Sequence, residues 1–155
     1  MVLLLCAVLS TGARAAAAAE SVEAPHVTVS LVADADAVRP GEPFDAGIRF
    51  ALEDGWHVYW SNPGDSGLAP SVRWTLPDGT TAGPIVWPYP EKIAVGPLAN
   101  YGYEGDVLLP VRISPSSSLR PGDVLTLAGR VDWLVCQEDC IPGDAQLALP
   151  LPVVS

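Results

Sequence analysis

Hydrophobic and polar positions alternate in short runs along most of this chain. Residues 26–33 set Val27, Val29 and Leu31 against His26, Thr28 and Ser30, the period of two that marks a half-buried strand. Residues 44–52 form a second run and residues 56–60 a third, with Trp56, Val58 and Trp60 on one face and His57 and Tyr59 on the other. Further extended runs occupy residues 71–76, 84–90, 106–113, 123–135 and 145–151. Turn residues separate them: Arg39-Pro40-Gly41-Glu42, Asp54-Gly55, Pro77-Asp78-Gly79 and Arg120-Pro121-Gly122-Asp123. Residues 62–70 read as a loop, as do residues 96–105, which carry Tyr101 and Tyr103 between glycines. About eight strands at roughly 8–12-residue spacing predict an all-β antiparallel sandwich. No sustained helical period and no internal repeat is found after the first residues.

Composition narrows the function more than the fold. A chain of 155 residues is one domain's worth. Eight basic against 18 acidic residues give a formal net charge of −10, which argues against nucleic acid and against anionic lipid as partners. Sixteen prolines and 14 glycines argue against long helices. There is no phosphate-binding glycine loop and no HExxH. The only histidines are His26 and His57, too few for a multi-histidine metal site. Residues 2–9 are an apolar run too short to span a bilayer, followed by Ala13-Arg14-Ala15 and an alanine tract to Ala19. That is the form of a secretory signal, with cleavage expected after Ala19 and a mature domain at 20–155. Cys6 leaves with the signal, and the product enters an oxidising compartment.

Cys136 and Cys140 then carry the sharpest chemical signal. They form a C-x3-C pair after a long strand pattern and before Ile141-Pro142-Gly143, the setting of a hairpin tip. Such a turn brings two Cα atoms near the roughly 4.4–6.8 Å that a disulfide needs. A bridge closing so small a loop contributes only about 2 kcal/mol through chain entropy, a weak staple for a sandwich. Short, exposed disulfides are the exchanging kind. Redox, structural and metal-binding roles all remain open on spacing alone, with redox favoured. Glu138 and Asp139 beside the thiols disfavour a thiolate and predict a slow general nucleophile that needs a docked partner.

The aromatic residues divide by position. Trp56, Trp60, Trp74 and Trp133 lie on strand patterns and are expected in the core, with a carbohydrate platform as the alternative. Tyr101 and Tyr103 fall in the expected loop, where they would shield a reactive group or face a partner. His57 reads as a polar strand residue rather than a ligand. A Cys–Cys–His metal site would lack a recognisable fourth ligand.

Four segments together resemble one known family. They are Gly55-Trp56-His57-Val58-Tyr59-Trp60, Asn62-Pro63-Gly64-Asp65-Ser66-Gly67, Asn100-Tyr101-Gly102-Tyr103-Glu104-Gly105, and Val131-Asp132-Trp133-Leu134-Val135-Cys136 through Cys140-Ile141-Pro142. They resemble the periplasmic N-terminal domain of the DsbD family, and more closely its ScsB-like branch, over residues 26–152. The resemblance implies an immunoglobulin-like sandwich at the start of a membrane disulfide reductase. It implies a cysteine pair that takes electrons from a membrane electron-transfer domain or thioredoxin-like donor. The pair passes them to periplasmic thioredoxin-fold proteins, among them disulfide isomerases and proteins of cytochrome c maturation. By position, Cys140 resembles the cysteine that forms mixed disulfides and Cys136 the one that resolves them. Asn100, Tyr101 and Tyr103 resemble a cap over the pair that opens on docking. The gap between the cysteines is shorter here than in the better-known branch. The chain ends at Ser155 without membrane helices, as a stand-alone version or a piece of a longer protein would.

No cofactor is expected. The rival from another class is a non-redox, immunoglobulin-like module with a structural disulfide that binds a protein or glycan through exposed aromatics. Copper(I) capture by the two thiols is a weaker alternative.

Overall fold

The computed structural model describes residues 20–155. The secretory-signal expectation for residues 1–19, Cys6 included, lies outside the described residues. Strands in chain order are β1 (Ser21–Ala24), β2 (Val27–Ala33), β3 (Phe44–Leu52), β4 (His57–Gly64), β5 (Ser71–Thr75) and β6 (Thr81–Ile85). They continue with β7 (Glu91–Val95), β8 (Leu98–Glu104), β9 (Asp106–Ser114), β10 (Val124–Cys136) and β11 (Cys140–Pro152). One sheet has the order β1-β2-β3-β9-β6, the other β11-β10-β4-β8-β7, with β5 on β10 beyond the end of β4. Strand pairs within both sheets are antiparallel, and the two sheets make the sandwich that the alternation predicts, immunoglobulin-like as the resemblance implies.

The inward faces supply the core. Val29, Leu31, Ile48, Phe50 and Leu109 of the first sheet meet Val58, Val131, Trp133, Val135 and Leu147 of the second. Trp133 lies edge-on to Phe50, with ring centres 6.2 Å apart. Toward the other end Phe44, Val111 and Ile113 pack with Leu125, Leu127 and Leu151. Each such side chain contributes about 1.5–3 kcal/mol by leaving water. Of the four tryptophans expected in the core, Trp133 is buried, while Trp56, Trp60 and Trp74 are half-buried against its rim.

Among the described residues, eleven strands stand where about eight were expected: β1 and β7 are additional, β4 runs on into the expected loop at 62–70, and the run expected at 84–90 is strand only where it overlaps β6. Three further differences have a physical reason. Residues 98–104 are a strand, not a loop. Gly102, which looks like turn punctuation, lies between β4 and β7, where the Val58 carbonyl comes so close that a Cβ would stand 2.1 Å from its oxygen. The glycine is there for close approach, and the chain stays extended. The last strand begins at Cys140 rather than at residue 145. Pro142 interrupts the pattern, yet β11 is an edge strand, where a missing N–H costs no ladder bond. Finally, β4 is buried on both faces at His57, Val58 and Tyr59. His57 and Tyr59 face away from the sandwich interior, so something outside the sheet must cover them.

Candidate functional site

The strand β10 is long enough to reach beyond β5 and pair with β4 at its last residue. Cys136 stands opposite Cys140 on β11 and opposite His57 on β4. His57 is in turn opposite Glu104 on β8. Paired residues of a sheet share a face, so Cys136, His57 and Glu104 line one edge of the outer surface of the second sheet. Tyr59, two residues along β4, lies on that same face.

Cys136 and Cys140 are joined as a disulfide with Cα atoms 4.1 Å apart. That is slightly shorter than the range expected above, because the two residues sit directly across the hairpin. Gln137, Glu138 and Asp139 make the tip, closed by the Gln137 N–H donating to the Asp139 carbonyl at 3.0 Å. The two sulfurs do not share one environment. Cys136 is 1% exposed, whereas Cys140 is exposed to solvent. An incoming thiolate meets Cys140 first.

The group touching Cys140 is Tyr59, whose hydroxyl lies 3.7 Å from Cys140 Sγ. Tyr59 is 1% exposed. Its hydroxyl is held above the usual tyrosine pKa by burial, against the opposing effect of the Ser66 hydroxyl. Its cover is the turn Ser66-Gly67. A Cβ at Gly67 would stand 2.2 Å from Tyr59 Cζ, and φ there is +91°, so glycine alone fits the turn onto the ring. Asn100 fixes that turn: its side-chain oxygen accepts from the Ser66 N–H at 3.1 Å and from the Ser66 hydroxyl at 3.0 Å. Asp65 continues the clasp, accepting from the Ala99 N–H at 2.8 Å and donating its own N–H to the Ala99 carbonyl. His57 packs edge-on against Tyr59 at 5.1 Å between ring centres. Its pKa is lowered by burial, with Glu104 opposing.

Cys136, Cys140 and Asn100 thus belong to one connected array, linked through Tyr59 and Ser66-Gly67. Tyr101 and Tyr103 lie elsewhere. Both sit on β8 with the opposite orientation to Gly102. Tyr103 is in the core beside Val58 and donates its hydroxyl to the Pro88 carbonyl at 2.8 Å. Tyr101 is partly exposed and meets Trp60 edge-on. Sequence reasoning missed Tyr59 and Ser66-Gly67. The signal was present in residues 56–60, where only His57 interrupts an otherwise aromatic and apolar run, a mark of a strand covered on both faces.

Burial pushes the Tyr103 hydroxyl up to about 12, from the ordinary value of about 10. A raised pKa means that the folded state holds its proton longer than the unfolded chain. The stability it contributes is complete below about pH 10 and is lost as pH rises through about 12. Tyr103→Phe is expected to cost about 1 kcal/mol at neutral pH for the lost hydrogen bond. It is also expected to flatten this alkaline fall, as melting temperatures taken across that window would reveal.

The comparisons with known proteins agree with this fold. Residues 27–152 match the family described as thiol:disulfide interchange protein DsbD, N-terminal. The chain belongs to the DsbD N-terminal domain family. The structure is also similar to the N-terminal periplasmic domain of ScsB from Proteus mirabilis, with a TM-score of 0.61 and 24% sequence identity. That alignment covers 83% of this chain and 49% of the other, so the chain spans about half the length of the structure it resembles. No curated protein matches the sequence closely enough to count as a relative. Among the described residues, no helix is long and apolar enough to cross a membrane. Among them too, no cluster of three or more His, Cys, Asp or Glu side chains is placed to hold a metal ion.

Proposed function

We propose that this DsbD-family domain is a periplasmic thiol–disulfide exchange module. It carries two electrons from a membrane-embedded or thioredoxin-like donor to thioredoxin-fold proteins of the periplasm, disulfide isomerases and cytochrome c maturation proteins among them. The observation that carries this reading is the asymmetry of the pair: an exposed Cys140 bonded to a buried Cys136 at a strand-borne hairpin tip. A structural staple needs no such difference, and the small loop gives it little to stabilise.

The chemistry follows from that asymmetry. In the reduced domain the Cys140 thiolate attacks one sulfur of a partner's disulfide. A Cys140–partner bond forms, and the partner's other sulfur leaves as a thiolate and takes a proton. Cys136 then attacks Cys140 Sγ, restoring the 136–140 disulfide and releasing the second partner sulfur. Two electrons pass to the partner, and the donor replaces them by the reverse route. The Tyr59 hydroxyl is placed to donate to the Cys140 thiolate. Asn100 acts at one remove, by holding Ser66-Gly67 over Tyr59, and the cover that docking displaces is assigned to this turn. Tyr101, the more exposed of the two β8 tyrosines, is left free to meet a partner.

The test is direct exchange. The fully reduced chain is mixed with an oxidised thioredoxin-fold disulfide isomerase, quenched with an alkylating agent and weighed. Paired appearance of oxidised chain and reduced isomerase within seconds supports the proposal. Persistence of both starting forms over hours sinks it.

A second reading rests on a groove of about 790 Å³ between Trp60, Trp87, Tyr89 and Tyr101. Tyr89 is 97% exposed, and the buried Trp60 indole N–H has no partner. This is the surface that a non-redox binding module would use. On that reading, loss of both cysteines lowers stability and leaves binding intact.

A further inference from the structure

His57 is a buried side chain with one ring nitrogen unpaired. It is 1% exposed, and its Nε2 makes no hydrogen bond. Leaving such a group buried and unpaired destabilises the fold, so its position asks for a reason. The register supplies one: His57 is the direct cross-strand neighbour of Cys136 and shares its face of the sheet. Directly opposed residues have Cβ atoms about 4.5–5.5 Å apart. In the disulfide form, the sulfur of Cys136 carries no proton to offer. In the reduced form it becomes a buried thiol with an S–H to donate, beside an imidazole nitrogen that has no other partner.

We infer that His57 takes the proton from Cys136 when this buried thiol resolves the mixed disulfide. The inference rests on the exchange reading above and adds a residue to it. As Cys136 Sγ attacks Cys140 Sγ, its proton passes to His57 Nε2, the new sulfur–sulfur bond forms, and the partner's sulfur leaves with its electron pair. The imidazolium then gives its proton to that thiolate or to water. Electrons and protons balance without any further reagent.

The surroundings suit the task. Burial keeps the imidazole neutral, and therefore able to accept, at neutral pH. A thiol as buried as Cys136 ionises reluctantly by itself. Glu104 on β8 and Glu138 at the hairpin tip line the same cavity of about 260 Å³ as His57, and Glu104 stabilises the imidazolium once it forms. Tyr59 packs against the ring from the same strand. The basic residues on this face, Arg130 and Arg73, stand six residues along β10 from Cys136.

The test separates the two bond-forming steps with dithionitrobenzoate, an aromatic disulfide that releases a coloured thiolate at each. Reduced full chain is mixed with the reagent by stopped flow. The first release depends on reagent concentration and reports attack by Cys140. The second does not, and reports resolution by Cys136. With His57 as acceptor, the second rate stays nearly flat between about pH 7 and 8. In His57→Gln it falls roughly 10-fold or more at neutral pH and climbs about tenfold per pH unit, because only the thiolate then reacts. The first phase is unchanged. A second phase in the native chain that itself climbs tenfold per pH unit would overturn the inference, as would a variant that matches the native chain. Should the variant fail to fold, the native profile decides. The reagent is not a protein partner, so failure to exchange with a thioredoxin-fold protein defeats the parent reading without touching this result. Normal exchange together with an unaffected His57→Gln variant defeats the inference alone.

Discussion

Cys140→Ser is expected to abolish disulfide reduction by this chain, and Cys136→Ser to arrest it at a covalent intermediate. The difference comes from burial. Cys140 is exposed at the hairpin tip and offers the sulfur that a partner reaches, whereas Cys136 is 1% exposed. A serine hydroxyl is not a nucleophile toward disulfides at neutral pH, so without Cys140 no first bond forms. Without Cys136, the Cys140–partner bond forms but nothing resolves it, and the mixed disulfide accumulates. Either change removes the bridge and costs about 2 kcal/mol, too little to unfold a domain with this core. The readout is a non-reducing gel with a thioredoxin-fold partner that lacks its own resolving cysteine, followed by mass measurement of the adduct. Equal trapping by both variants would show that the roles are wrongly assigned.

The largest loss of stability is expected from Gly102→Ala, a single added methyl group. Its Cβ would lie 2.1 Å from the Val58 carbonyl oxygen and 3.1 Å from Tyr59 Cα, both in the backbone of β4. Backbone in the middle of a sheet cannot swing aside as a side chain can, so β8 must separate from β4. Buried overpacking with loss of ladder hydrogen bonds costs about 3–5 kcal/mol. For a domain of this size the melting temperature should fall by roughly 10 °C or more. Gly83→Ala is the control. Its Cβ would find its nearest neighbour at 3.4 Å, an ordinary contact, and stability should stay within about 0.5 kcal/mol. The consequence reaches the redox pair, because Tyr59 and His57 on β4 form the surface on which Cys136 and Cys140 rest. Gly102→Ala should therefore also raise the rate at which small thiols reduce the disulfide. Unchanged melting in this variant would mean that β4 and β8 are less tightly apposed than described.

Alternation made the core legible, because it is a local property. Val27, Val29 and Leu31 face inward in the sequence pattern and are buried in the structure. The cysteine pair was legible for the same reason: three intervening residues place both partners within one hairpin. Features that depend on distant chain were not. Nothing near Gly102 tells that the Val58 carbonyl will press on it, so a glycine of close approach reads like a glycine of a turn. Pro142 reads as a strand breaker until the topology puts β11 at an edge. The burial of His57 and Tyr59 depends on the Ser66-Gly67 turn and on the hairpin tip. Ser66 is in turn held by Asn100, 34 residues away in sequence. Resemblance gathered the four segments of the site in advance, but it could not supply the contact between Tyr59 and Cys140.

The measurement that tests the central claim most directly is the reduction potential of the Cys136–Cys140 pair. The chain is equilibrated across dithiol redox buffers, alkylated, and its reduced fraction counted by mass. An exchanging carrier must be able both to accept and to give electrons among thioredoxin-fold proteins. The account therefore predicts a value between about −180 and −270 mV. A value well below about −300 mV would mark a structural bridge, inert to such partners, and would contradict it.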